Sequence, residues 1–140
     1  MFKAASAALI TAFAVAAPAN ADPCKAIPDK GPMPAYLHKG ATFAGPVVYV
    51  GDGDGLCVAV GEAPSAWVEV RLADFYVPEL GDPGGPEAKA ALETIAKGRA
   101  VSCVADHRSY DRIVAACTLN GRDLGDVMRA TGIAESGRGH

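Results

Sequence analysis

Residues 100–106 and 112–119 are two strand-favouring runs on either side of Tyr110. Folding one onto the other about that residue sets Val101, Cys103 and Ala105 opposite Leu119, Cys117 and Ala115. All six are apolar, so an antiparallel hairpin in this register has one coherent buried face, which a one-residue slip would turn to solvent. The register also puts Cys103 directly across from Cys117, where a disulfide is geometrically possible. The rest of the chain has to complete a β-rich core around this face.

Upstream, residues 42–50 favour a strand, Gly51-Asp52-Gly53-Asp54-Gly55 is a turn signal, and 56–60 is strand-like again, which predicts a second hairpin. From Trp67 to Ala73 the pattern alternates, with Val68, Val70 and Leu72 on one face and Glu69 and Arg71 on the other. Period two over seven residues marks a half-buried strand. Pro86 suits the first turn of a helix, and 87–97 is rich in helix formers before Gly98. Asn120-Gly121 is a turn, and 123–129 predicts a short helix closed by Gly132. The predicted order is three strands, a helix, two strands and a helix.

The first 21 residues stand outside this pattern. Lys3, an apolar run from Ala4 to Ala17 and the small-x-small triplet Ala19-Asn20-Ala21 form a cleavable secretory leader, too short for a membrane span. Cleavage after residue 21 of 140 leaves 119, enough for one domain. The expected organisation is a leader over 1–21, a Pro/Gly-rich tail laid along the surface over 22–41, a folded domain over 42–135 and a C-terminal tail over 136–140. Losing Lys3 moves the net charge from −3 to −4, a balance that argues against tight, sequence-independent binding of polyanions. All four cysteines follow the cleavage site, which fits disulfides in an oxidising compartment. Besides Cys103–Cys117, a Cys24–Cys57 bridge tethering the tail is expected, although no strand pattern fixes that pair. No zinc spacing is present among the cysteines and histidines.

Five motifs in order then suggest a family. Gly51-Asp52-Gly53-Asp54, Val70-Arg71-Leu72 through Pro78-Glu79, Gly85-Pro86-Glu87-Ala88, Tyr110-Asp111-Arg112 with Ile113-Val114-Ala115, and Asn120 to Gly125 with Thr131 to Ala134 resemble the thermonuclease, or staphylococcal nuclease-like, family. The resemblance spans about Thr42 to Ala134. It implies an α+β, mainly β fold, a five-stranded OB-type barrel with two helices; the leader separately predicts an exported protein without stable membrane association, expected as a monomer. It implies hydrolysis of DNA or RNA with calcium: Asp54 as a metal ligand, Glu79 as the base that activates water, Arg71 and Arg112 as phosphate clamps. Each role has a physical reason. Carboxylates hold a hard cation, a carboxylate can take a proton from water, and guanidinium forks match phosphate oxygens.

The chain departs from the family at the second calcium carboxylate, where Tyr76 stands, and at the next position, Val77. Gly55 replaces a hydroxyl residue and Asp111 a glycine. Asp74, or Asp52, is the candidate to complete a metal site. Outside the family frame, Asp52 and Asp54 are turn residues, Arg71 a solvated strand charge and Glu79 loop decoration. The alternative function is therefore a catalytically inactive OB module that binds a nucleic acid, an anionic ligand or a protein partner.

Overall fold

The computed structural model describes residues 22–135, with 8, 9 and 11; the expected leader and the 136–140 tail lie outside this range. The chain forms strands β1 (Thr42–Asp52), β2 (Gly55–Val58) and β3 (Val68–Leu72), helix α1 (Gly85–Ala96), strands β4 (Ala100–Ser109), β5 (Arg112–Leu119) and β6 (Arg122–Asp123), and helix α2 (Leu124–Arg129). The fold is mainly β. Its six strands run in the order β3-β2-β1-β4-β5-β6, with neighbours antiparallel. A further, parallel pairing joins β3 to β5, so that five strands close into a barrel-like ring.

The β4–β5 hairpin has the expected register at its base, with Cys103 opposite Cys117 and Ala105 opposite Ala115. Beyond Ala105 the register shifts by one, with His107 opposite Val114, so that Asp106 is an extra residue in β4. The pairing then ends at Ser109–Arg112 around a two-residue turn, in which Tyr110 has a positive φ of 58°. Both expected disulfides form, Cys103–Cys117 and Cys24–Cys57, and no described cysteine is free.

Helix α1 starts at Gly85, with Pro86 in its first turn and Glu87 favourably placed at the positive end of the dipole. Ala88, Leu92 and Ala96 recur at helical spacing and are fully buried, and the helix packs on β1. The expected start of the second helix, Asp123, proves to be its N-cap, accepting a 3.0 Å bond from the Asp126 amide. Asp123 also belongs to β6, which the sequence reading did not resolve. Asn120 and Gly121 both take positive φ, the conformation that lets a two-residue loop turn β5 straight back into β6.

The tail is more than a surface strap. Ala26, Ile27 and Leu37 are buried in the core, Leu37 completely, and the amides of Lys25 and Ala26 bond to the carbonyls of Pro64 and Trp67. The Arg108 guanidinium donates to the carbonyls of Pro28, Gly31 and Tyr110 and holds the tail from the other side. No helix among the described residues is long and apolar enough to cross a membrane.

Cys103 and Cys117 are separated by 14 residues and lie in the core. Replacing both with Ala is expected to lower unfolding free energy by about 3 kcal/mol, the loop-entropy value for a ring of that size. Urea unfolding of the oxidised protein and the double variant measures it, and equal midpoints would show that the bridge adds nothing.

Candidate functional site

The site grows out of the outer face of β3. Val68, Val70 and Leu72 point into the ring, which leaves Glu69 and Arg71 half-buried on the outside. Arg71 lies between Gly55 of β2 and Val114 of β5, and Glu69 lies beside Cys57. Glu69 and Arg112 each lie one residue before the Val70–Ile113 pair, and the Arg112 charge reaches Glu69. By that register Arg71 and Arg112 fall on one face of adjacent strands, offset by two residues. Two guanidiniums so offset can converge on one anion.

Asp54 closes the turn into β2, its carbonyl accepting from the Leu72 amide at 2.7 Å. It is the buried charged residue of the described chain, 6% exposed. Its carboxylate lies 3.9 Å from the Arg71 guanidinium, and its own amide donates to Asp52 at 3.3 Å. Burial, then the hydrogen bond and charge of Asp52, push the Asp54 carboxyl up to about 7, against the pull of Arg71. Glu79 acts on it in the same sense as Asp52, so the Glu79 charge reaches this site although its side chain is exposed.

Two close approaches fix the loops. A Cβ on Gly53 would lie 2.5 Å from the Ala88 Cβ and 2.8 Å from Val77, so the Asp-Gly-Asp turn can nest under α1 only with glycine there. A Cβ on Gly85 would lie 2.0 Å from the Glu79 carbonyl oxygen, so the first residue of α1 is glycine because the Glu79 loop runs directly against it. Helix α1 thereby braces both Asp54 and Glu79.

Tyr76 does what a carboxylate at its position could not. Its ring packs against the Arg71 guanidinium, 5.3 Å from the centroid, a cation–π contact that orients the arginine. Tyr76 also lines a groove of about 430 Å³ walled by Val104, Val114 and Ala116. The polar end of the groove is an ionic cluster: Asp106 bonds to Lys39 at 3.2 Å and His107 at 2.7 Å, and both hold its carboxyl below the usual range. Asp74 also lines this groove. Strand β3 has ended at Leu72, and Asp74 is exposed in a left-handed turn (φ 56°), its carbonyl accepting from Arg129.

These donors do not make a calcium site of the ordinary kind. Calcium takes several oxygens, usually more than one carboxylate. Here one buried carboxylate faces a guanidinium, Asp52 is engaged by the Asp54 amide, and Tyr76 offers a neutral ring. Elsewhere among the described residues, Asp22, Cys24 and Cys57 place donor atoms within 4.8 Å of one another, but the disulfide occupies both sulfurs.

Two residues of this face went unselected in the sequence. Glu69 was visible as a polar-face residue, but its carboxyl is pushed up to about 8 by burial and then by Asp22, which a disulfide spanning 33 residues brings near. No protein-family model and no curated protein matches this chain.

The raised Asp54 carboxyl has a consequence for stability. The fold favours its protonated form, so its contribution is complete below the unfolded value of 3.8 and is lost as pH rises through about 7. Asp54→Asn is expected to reduce the fall in stability across that window, with Glu69, pushed up to about 8, supplying the remaining slope. Urea unfolding at a series of pH values tests this; parallel curves for the two proteins would contradict it.

Proposed function

We propose that the chain is an exported phosphodiesterase of thermonuclease type, an OB-type barrel acting on DNA or RNA, with turnover held low by Tyr76. The observation that carries this reading is the convergence of Arg71, Arg112, Asp54 and the Glu79 charge at one side of the β2–β3–β5 face. A phosphodiester would lie between the two guanidiniums, whose planar forks match its oxygens and stabilise charge as it builds in the transition state. Glu79, on a loop braced by α1, would take the proton from the attacking water. The groove beside Val114 begins next to Arg71, so a ring attached to that phosphate has an apolar seat against Tyr76. Two disulfides accord with an oxidising compartment.

One observation favours a second reading, an inactive OB module that binds an anionic ligand or a partner. The Tyr76 ring on Arg71 completes an anion-binding surface while removing a carboxylate that a metal would need.

Arg71→Lys and Arg112→Lys are each expected to weaken binding of a nucleoside bisphosphate with little change in thermal stability, because Lys lacks the fork. Unchanged affinity by calorimetry would make them ordinary surface charges. For catalysis, the wild-type domain should cleave denatured DNA poorly over a calcium titration. Tyr76→Asp should gain both calcium affinity and turnover, and Glu79→Gln added to it should remove the gain. A folded but inert Tyr76→Asp protein would sink the nuclease reading in favour of the binding module, and vigorous wild-type cleavage would show that another group completes the site.

A further inference from the structure

A smaller cavity, of about 330 Å³, lies toward the far end of β5 from Arg112. Arg112 opens that strand and Leu119 closes it, a separation on the order of 20 Å at about 3.3 Å per residue. Leu119, Ile95 of α1 and Val127 of α2 give the cavity an apolar lining, and Ile95 and Val127 are only half-buried by the core they pack against. Arg99, Asn120 and Arg122 supply its polar side. Two turns fix their backbones. The Gly98 amide (φ 81°) donates to the Val47 carbonyl at 2.8 Å, and the Arg99 carbonyl accepts from the Val47 amide at 2.8 Å. Asn120 and Gly121 bring Arg122 back opposite Leu119.

Among the described residues no acid lines this cavity, although the chain carries a net charge of −3. The acids nearest in sequence are engaged elsewhere. Glu93 pairs with Lys89 at 3.8 Å, Asp123 caps α2, and Asp126 bonds to Arg129 at 2.8 Å. Neither the Arg99 nor the Arg122 guanidinium has a carboxylate partner among the described residues. The dipole of α1 accounts for a cation at Arg99, just past its C-terminal end. It does not account for Arg122, which leads into the N-terminus of α2, where a cation is disfavoured. We propose that this cavity binds a small organic anion, an apolar ring or branched chain bearing one carboxylate or phosphate. The apolar group packs against Ile95, Leu119 and Val127, and the forks of Arg99 and Arg122 take the head group, with the Asn120 side-chain amide as a further donor. The volume is at the small end of the range for ligand sites, which suits a ring of bicyclic size rather than a lipid chain. The site is separate from the outer face of β3 and does not rest on the nuclease reading.

The test is a chemical-shift titration of the oxidised, isotope-labelled protein near neutral pH, with spectra that also report whether each variant is folded. Naphthalene-2-carboxylate should move the amides of Ile95, Arg99, Asn120 and Val127 together. The neutral naphthalene-2-methanol should bind roughly fivefold more weakly, the worth of about one net hydrogen bond. Arg99→Gln and Arg122→Gln should each weaken the carboxylate by a similar factor and leave the alcohol unchanged, a discrimination that a merely structural role of either arginine does not produce. Naphthalene-2-yl phosphate tells the head groups apart. Tighter binding than the carboxylate at these same amides marks a phosphate ligand and weaker binding a carboxylate, and both support the site. Equal binding of carboxylate and alcohol, wild-type affinity in both arginine variants, or shifts confined to β3 and the start of β5 would overturn the proposal.

Discussion

Val70, Arg71 and Leu72 of β3 lie in parallel beside Ile113, Val114 and Ala115 of β5, and this short strip closes an open sheet into a ring. Without it, β3 would be an edge strand with unpaired amides and carbonyls. With it, the inward residues Val70, Leu72, Ile113 and Ala115 bury one another. The same strip creates the outer face. Arg71 and Arg112 come from segments about forty residues apart in the chain, and only the β3–β5 register sets them two residues out of step on one surface. Fold closure and site assembly are therefore one event.

That strip also marks where the sequence stops being readable. The hairpin around Tyr110, the Cys103–Cys117 pair and the alternation in β3 are local patterns, and periodicity finds them because each side chain's face follows from its neighbours two residues away. The β3–β5 pairing is parallel and non-local, and no spacing in the chain announces it. The bulge at Asp106 was hidden for another reason. Pairing about Tyr110 is right at the base of the hairpin, but a two-residue turn needs an even count, and the extra residue is absorbed where Ala105 gives way to His107. The Asn120-Gly121 turn was legible, yet a two-residue β6 is too short to show alternation. Of the candidate site, Asp54, Arg71, Arg112 and Glu79 could be picked out only as a set, through resemblance. Singly each looks like a turn or surface residue, and the burial of Asp54 cannot be seen from a Gly-Asp-Gly context.

Tyr76 changes the balance of forces around Arg71. A second carboxylate there would give Asp54 a partner for a cation and add to the charges that already raise its carboxyl. The phenol ring instead meets the flat face of the guanidinium, leaving the Asp54 carboxylate 3.9 Å from one of its nitrogens. A cation at Asp54 would have to sit beside that fixed positive charge, whereas an anion would be drawn to it. The contact that orders the arginine thus also sets the charge a cation at Asp54 would have to meet.

The N-terminal tail joins stability to this electrostatics through one covalent bond. A ring of five short strands encloses a small core, and the tail supplies Leu37, Ile27 and Ala26 to it. Small domains commonly add disulfides where burial alone is modest. Cys24–Cys57 does so here, and because Cys57 pairs with Glu69 across β2 and β3, the anchor for the tail lies on the same face as Arg71. Moving the bridge to another strand could hold the tail equally well, but it would carry Asp22 away from β3. Glu69 would keep its burial and the Asp111 charge but lose Asp22, so its carboxyl would be raised less against the pull of Arg112. The position of the bridge, rather than its presence, is what links the tail to the charged face of β3.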